Sequence, residues 1–193
     1  MQHEQYPDSY IRGILNTVKT IAMVGVSANT SRPSYFAFKY LLERNFHMIP
    51  VNPLLASQEL LGQRVYAKLT DITEPVDMVD IFRGSRHALP IVHEALAMKP
   101  RPQVIWMQLG VRNDEAAATA EAAGLKVVMN RCPKIEYGRL SSEIGWMGVN
   151  SRTLTSKRAH LLGRGVQRMS LDRTTMPGGA TVDAPAKTGA EGS

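Results

Sequence analysis

Five short apolar runs separated by helical patterns constrain this chain more than any other feature of it. The runs are Thr20 to Val26, His47 to Val51, Val76 to Phe82, Val104 to Leu109 and Leu125 to Met129. They are continuous instead of alternating, which is the pattern of strands covered on both faces. Helical stretches lie between them, so successive strands are joined by crossovers and run parallel. The expected fold is α/β: a Rossmann-like, doubly wound, five-stranded parallel sheet with helices on both faces.

The helices have readable ends. Tyr10, Ile11, Ile14, Leu15 and Val18 fall on one helical face and give an amphipathic opening helix, about residues 8–19. Pro33 suits a first helical turn and starts a helix to about Asn45. Ala88, Ile91, Val92, Ala95 and Leu96 line another face, closed by Pro100 and Pro102. Asn113 is the expected N-cap of an Ala-rich helix ending at Gly124. Arg64 to Leu69 reads as a short extra strand or a connector. Residues 1–140 therefore form one domain. Residues 141–173 are a basic extension in which a short helix over Ser151 to Met169 is possible, and 174–193, rich in Pro, Gly, Ala, Thr and Ser, read as a disordered tail.

At 193 residues the chain has room for one filled α/β domain and not for two. No run approaches the roughly 18 apolar residues of a membrane span, and the first residues do not read as a secretory signal, so a cytoplasmic location is expected. A single cysteine, Cys132, excludes a disulfide framework and a Cys-based zinc cluster. The formal charge of +6 is concentrated between Ser151 and Arg173, where Arg152, Lys157, Arg158, Arg164, Arg168 and Arg173 face the single acid Asp172. A basic tail on a near-neutral domain suits a partner-docking or self-associating extension better than a reader of nucleic acid.

Ligands of open parallel sheets bind beyond the carboxyl ends of the strands, where the strand order reverses. Those ends are Gly25-Val26-Ser27, Val51-Asn52-Pro53, Phe82-Arg83-Gly84, Gln108-Leu109-Gly110 and Asn130-Arg131-Cys132. None carries an acid, although Asp80 lies just upstream of Phe82. The first of them leads through a polar loop into Ser31-Arg32-Pro33-Ser34, a strand delivering its chain to a helix N-terminus. Backbone N–H groups, the positive end of the helix dipole and the Arg32 guanidinium would together attract a phosphate there.

The chain resembles the stand-alone coenzyme A-binding proteins, single Rossmann-type domains similar to the N-terminal domain of the succinyl-CoA synthetase α subunit. The resemblance rests on Val24-Gly-Val-Ser27 with Arg32-Pro-Ser34, Ile49-Pro-Val-Asn-Pro53, Val79-Asp-Ile-Phe-Arg83, Ile105-Trp-Met-Gln-Leu-Gly-Val111, Glu121 to Cys132 and Lys134-Ile-Glu136. It covers about Ile14 to Leu140. It implies a non-catalytic domain that binds coenzyme A or a short acyl-CoA. The diphosphate would lie over Gly25, Val26, Ser27, Arg32, Pro33 and Ser34. Asn52 and Pro53 would border the adenosine, and Phe82 with Arg83 would form another wall. Gln108, Gly110 and the Asn130–Cys132 turn would approach the pantetheine arm. In the multidomain relatives, chemistry depends on a phosphorylated histidine in a further domain and on a nucleotide-binding partner, so no ligase or acyltransferase activity is expected of this chain alone.

Each residue also has a plainer reading. Gly25 permits a tight turn, Arg32 and Arg83 suit a surface, Asn52 before Pro53 is a turn former, Phe82 and Trp106 suit a core, and Gln108 could satisfy backbone groups at a buried strand end. Cys132 suits a small buried hydrophobe; beside Arg131 it is also a candidate activated thiolate. The resemblance puts it near the ligand's thiol, where a mixed disulfide would form. His87 and His93 are poorly spaced for a metal, and no Walker A sequence, nucleophile elbow or G-x-G-x-x-G is present. The rival functions are a small NAD(P)-dependent oxidoreductase using the same cleft and an interaction module using the basic tail.

Overall fold

The computed structural model describes residues 3–141. The expectations for the basic extension and the tail lie outside the described residues, apart from Ser141.

Helix α1 (Asp8–Thr17) precedes β1 (Thr20–Val24), α2 (Pro33–Glu43) and β2 (His47–Val51). A two-stranded hairpin, β3 (Glu59–Leu60) and β4 (Gln63–Arg64), comes next. The chain then alternates through β5 (Met78–Ile81), α3 (Ala88–Ala97), β6 (Val104–Met107), α4 (Asp114–Ala122), β7 (Lys126–Val128) and α5 (Pro133–Leu140). The central sheet has the order β2-β1-β5-β6-β7, and every neighbouring pair in it is parallel. Chain order reverses between β1 and β5, which makes their carboxyl ends the switch point of a doubly wound sheet. The expected fold class is the one observed.

Burial on both faces explains the continuous apolar runs. Ala22, Val24, Val79, Ile81, Ile105 and Met107 face one core, which α3 and α4 cover. Ile21, Met23, Met78, Trp106 and Val128 face a second core, covered by α1, α2 and α5. Helix ends follow the expected chemistry. Pro33 opens α2, and the Asn113 side chain accepts from Ala116 N at 2.8 Å as the N-cap of α4. Gly124, at φ 84°, closes α4 in a Schellman turn, with Leu125 N bonded to Ala120 O and Gly124 N to Glu121 O.

Strands β1, β5, β6 and β7 are shorter than the apolar runs. At Gly25 the backbone turns out of the ladder at φ 91°, and Val26 beyond it stays buried in the second core. Apolar character thus records burial past the point where pairing stops. Single backbone bonds still tie each tip to its neighbour: Gly25 N to Val51 O, Phe82 N to Val24 O, Gln108 N to Ile81 O and Arg131 N to Met107 O. The tips form one continuous rim.

Both outer strands have their edges covered, which blunts pairing with another chain. At β2, Tyr66 forms a parallel bridge to Val51, so the Arg64–Leu69 segment is a connector that touches the sheet after β4. At β7 the cover is made by side chains: the Tyr10 hydroxyl donates to Val127 O (3.2 Å), and Met129 N donates to the Tyr6 hydroxyl (2.8 Å). The two rings stack at 5.9 Å, and burial raises both phenol pKa values.

Candidate functional site at the strand tips

The loop after β1 is held largely by its own polar groups. Ser27 N donates to Ser34 Oγ (3.1 Å), Asn29 N to Ser27 Oγ (3.1 Å), Ser31 N to Asn29 Oδ1 (2.9 Å) and Arg32 N to Asn29 O (3.0 Å). These N–H groups already have acceptors, so the expected ring of unpaired amides is smaller than the sequence suggested. What the loop offers an anion is the positive end of α2 and the exposed Arg32 at its N-cap. The Arg32 guanidinium makes no ion pair or side-chain hydrogen bond among the described residues.

Asn52 is buried and acts as a brace. Its Nδ2 donates to Val26 O at 2.8 Å, and its Oδ1 accepts from Leu54 N at 3.0 Å. It thereby fixes the β1 loop against the β2 tip and turns Pro53 outward. Phe82 is half-buried against the second core. Arg83 is exposed, and its stem lies against Gly25: a Cβ there would stand 2.6 Å from Arg83 Cδ and 3.0 Å from Phe82 O. Glycine is therefore required at 25 for its positive φ and for this close approach. The Arg83 guanidinium, like that of Arg32, has no partner among the described residues.

Gly25, Pro53 and Arg83 meet in a pocket of about 210 Å³ at the switch point. Its floor is apolar, from Val24, Val51 and Ile91, and Lys68, His87 and Glu94 complete its wall. Lys68 and His87 were not singled out as ligand residues from sequence. They come from connectors after β4 and β5, and nothing local in the sequence brings them to Gly25. The pocket is smaller than the roughly 300–1,000 Å³ of sites that enclose a whole drug-sized ligand, so it suits one end of a longer molecule.

The tips of β6 and β7 are different. Gln108 is buried and gives its amide to both oxygens of Asp80, at 3.1 and 3.0 Å. Asn130, at φ 53°, accepts from Gly110 N at 2.8 Å. Trp106 Nε1 donates to Arg131 O at 2.8 Å, while the Arg131 guanidinium sits 5.9 Å from the Tyr6 ring and donates to Asn130 O at 3.0 Å. Gln108, Gly110 and Asn130 are thus joined to the rim but committed to internal bonds.

Burial pushes the Asp80 pKa up to about 8, with the Gln108 amide opposing it. The carboxyl is mostly protonated at neutral pH, so the acid behind the rim adds little negative charge to it. Cys132 is buried too. Burial raises its thiol pKa first, and the neighbouring Asp80 also raises it, against lowering by the backbone N–H groups and charge at the start of α5. Of the two readings of Cys132, the structure favours the small buried group over the thiolate activated by Arg131: that guanidinium lies toward Tyr6 and Glu4, and burial raises the thiol pKa.

Among the described residues no group of three or more His, Cys, Asp or Glu could hold a metal ion, and no helix is long and apolar enough to cross a membrane.

A five-stranded parallel sheet with an apolar-floored pocket at its switch point is the architecture of a Rossmann-like α/β domain. Residues 19–138 match the family described as CoA binding domain, and the chain belongs to that family. It is 35% identical over 127 residues to the uncharacterized protein YneT of Bacillus subtilis, covering 66% of this chain and 91% of that one. Among solved structures, a hypothetical protein from Pyrococcus horikoshii is similar at 35% identity and a TM-score of 0.66, over 72% of this chain and 99% of that one. A protein from Thermus thermophilus matches at 36% identity and the same TM-score, over 69% and 98%.

Proposed function

We propose that this chain binds coenzyme A, free or as a short acyl thioester, along the rim of strand tips and performs no chemistry on it alone. One observation carries the reading: two guanidinium groups without partners among the described residues, Arg32 and Arg83, flank the switch point beside an apolar-floored pocket. Unpaired cations at a helix N-terminus favour a polyanion. The apolar floor favours the adenosine, and family membership favours coenzyme A over other nucleotides. In this reading Gly25 to Ser34 take the diphosphate, while Asn52, Pro53, Phe82 and Arg83 surround the adenosine. Gln108, Gly110, Asn130 and Cys132 border the pantetheine arm, chiefly through backbone.

The test compares thermal shifts with coenzyme A and with NAD(P)H. A rise in melting temperature with coenzyme A is expected. A rise confined to the nicotinamide cofactors would overturn the reading in favour of an oxidoreductase.

A further inference from the structure

The Gln108 amide is spent on Asp80 at one end only. Asp80 is fully buried on β5, and both its oxygens accept from Gln108 Nε2, at 3.1 and 3.0 Å. The other end of that amide, Oε1, has no hydrogen bond among the described residues and is not enclosed, so it is open at the rim. This is the arrangement an ionised Asp80 requires, because a carboxylate only accepts. A protonated Asp80 also donates, and here its O–H would meet only the N–H bonds of Gln108. The two ends of a primary amide are alike in size, so a half-turn of the Gln108 amide brings Oε1 onto that O–H and carries Nε2 out to the rim.

We infer that the charge on Asp80 decides which end of Gln108 a bound coenzyme A meets: a carboxylate holds the nitrogen inward and leaves an acceptor at the rim, and the protonated acid turns the amide over and presents a donor. This rests on the coenzyme A reading above. The protonated form is the binding form for two reasons. It offers an N–H to a carbonyl of the pantetheine arm or of an acyl thioester. It also removes a buried negative charge from beneath a rim that receives a polyanion. The groups around Asp80 leave it as the titrating member. Its register partners, Met23 on β1 and Trp106 on β6, carry no charge. From α5, the Cys132 thiol is the titratable neighbour, and Asp80 helps to raise its pKa. Lys134 lies by the Tyr40 ring at 5.7 Å, and Glu136 is held by Arg139 at 2.7 Å. Burial, opposed by the Gln108 amide, puts the Asp80 pKa at about 8, so both forms are populated in mildly alkaline solution.

The test measures the coenzyme A affinity of the full chain by calorimetry from pH 7 to pH 9, in wild type and in Asp80→Asn. Wild-type affinity should fall about tenfold over that range, following the protonated fraction around a pKa of about 8. Asp80→Asn has no proton to lose and an amide that can donate to Gln108 Oε1, so its affinity should change by less than about twofold. A flat wild-type profile would overturn the switch and leave the coenzyme A reading intact. So would an equal fall in both proteins, as from ionisation of the ligand's own groups. The side-chain amide signal of Gln108, followed by NMR in isotope-labelled wild type without ligand, is the second readout. It should move with pH around the same midpoint, and a signal that stays in place would overturn the turning of the amide. If coenzyme A binds at no pH, the coenzyme A reading is overturned, and the amide titration upholds or overturns the switch by itself.

Discussion

The two halves of the strand-tip rim are built to opposite ends. At β1, β2 and β5 the side chains that reach the rim include Arg32 and Arg83, which have no protein partner among the described residues. At β6 and β7 the polar groups are consumed: Gln108 by Asp80, Gly110 N by Asn130, and Arg131 O by Trp106. One half carries unspent charge and a pocket; the other spends its hydrogen bonds on holding the tips in register. A polar residue at a strand tip is therefore not by itself a ligand residue. What distinguishes the two is whether its bonding capacity is already used.

In the open half the largest effect should come from Gly25→Ala, which strikes it at its hinge. A side chain at φ 91° that meets Arg83 and Phe82 O should cost about 1–3 kcal/mol of stability. Displacing Arg83 should also weaken coenzyme A binding by roughly tenfold or more, read by chemical denaturation and calorimetry. Intact affinity would break the comparison.

Asp80→Asn probes the closed half through pH. The carboxyl pKa rises from 3.8 unfolded to about 8 folded, so the folded state holds the extra proton between those values. This contribution is fully present below pH 3.8 and is lost as pH rises toward 8, at up to ~1.4 kcal/mol per pH unit. Denaturation at pH 5 and pH 8 should show this fall in wild type and a much flatter profile in Asp80→Asn.

A paired experiment sharpens the contrast. Arg83→Met should lower coenzyme A affinity about tenfold with little change in melting temperature. Asn130→Ala should do the reverse, because it places alanine at a left-handed backbone position and removes the acceptor of Gly110 N. Its cost should be about 1–2 kcal/mol of stability, with affinity changed less than threefold. The smallest effect belongs to Tyr6→Phe, which takes the acceptor from Met129 N and should cost about 0.5–1.5 kcal/mol by denaturant titration.

Much of this was legible in the chain itself. Strand β2 has the bounds its apolar run predicts, and the Asn113 cap and the Gly124 stop are where side-chain chemistry put them. The hairpin of β3 and β4 was missed because Leu61 and Gly62, both at positive φ, turn it without the Asn-Gly pair that announces such turns. Helix α5 was missed because eight residues including Gly138 give little periodicity. All the proposed site residues lie on or beside the rim, but sequence could not divide them into open and committed. That division depends on contacts between distant segments, such as Gln108 with Asp80 and Asn52 with Val26. Lys68 and His87 were invisible for the same reason, being brought to the pocket by connectors.

Amide hydrogen exchange with and without saturating coenzyme A tests the central claim most directly. The account predicts the strongest added protection over Gly25–Ser34, Lys68 and Phe82–His87, with weaker change over Gln108–Cys132. Protection confined to Gln108–Cys132, or none at the β1 loop, would contradict it.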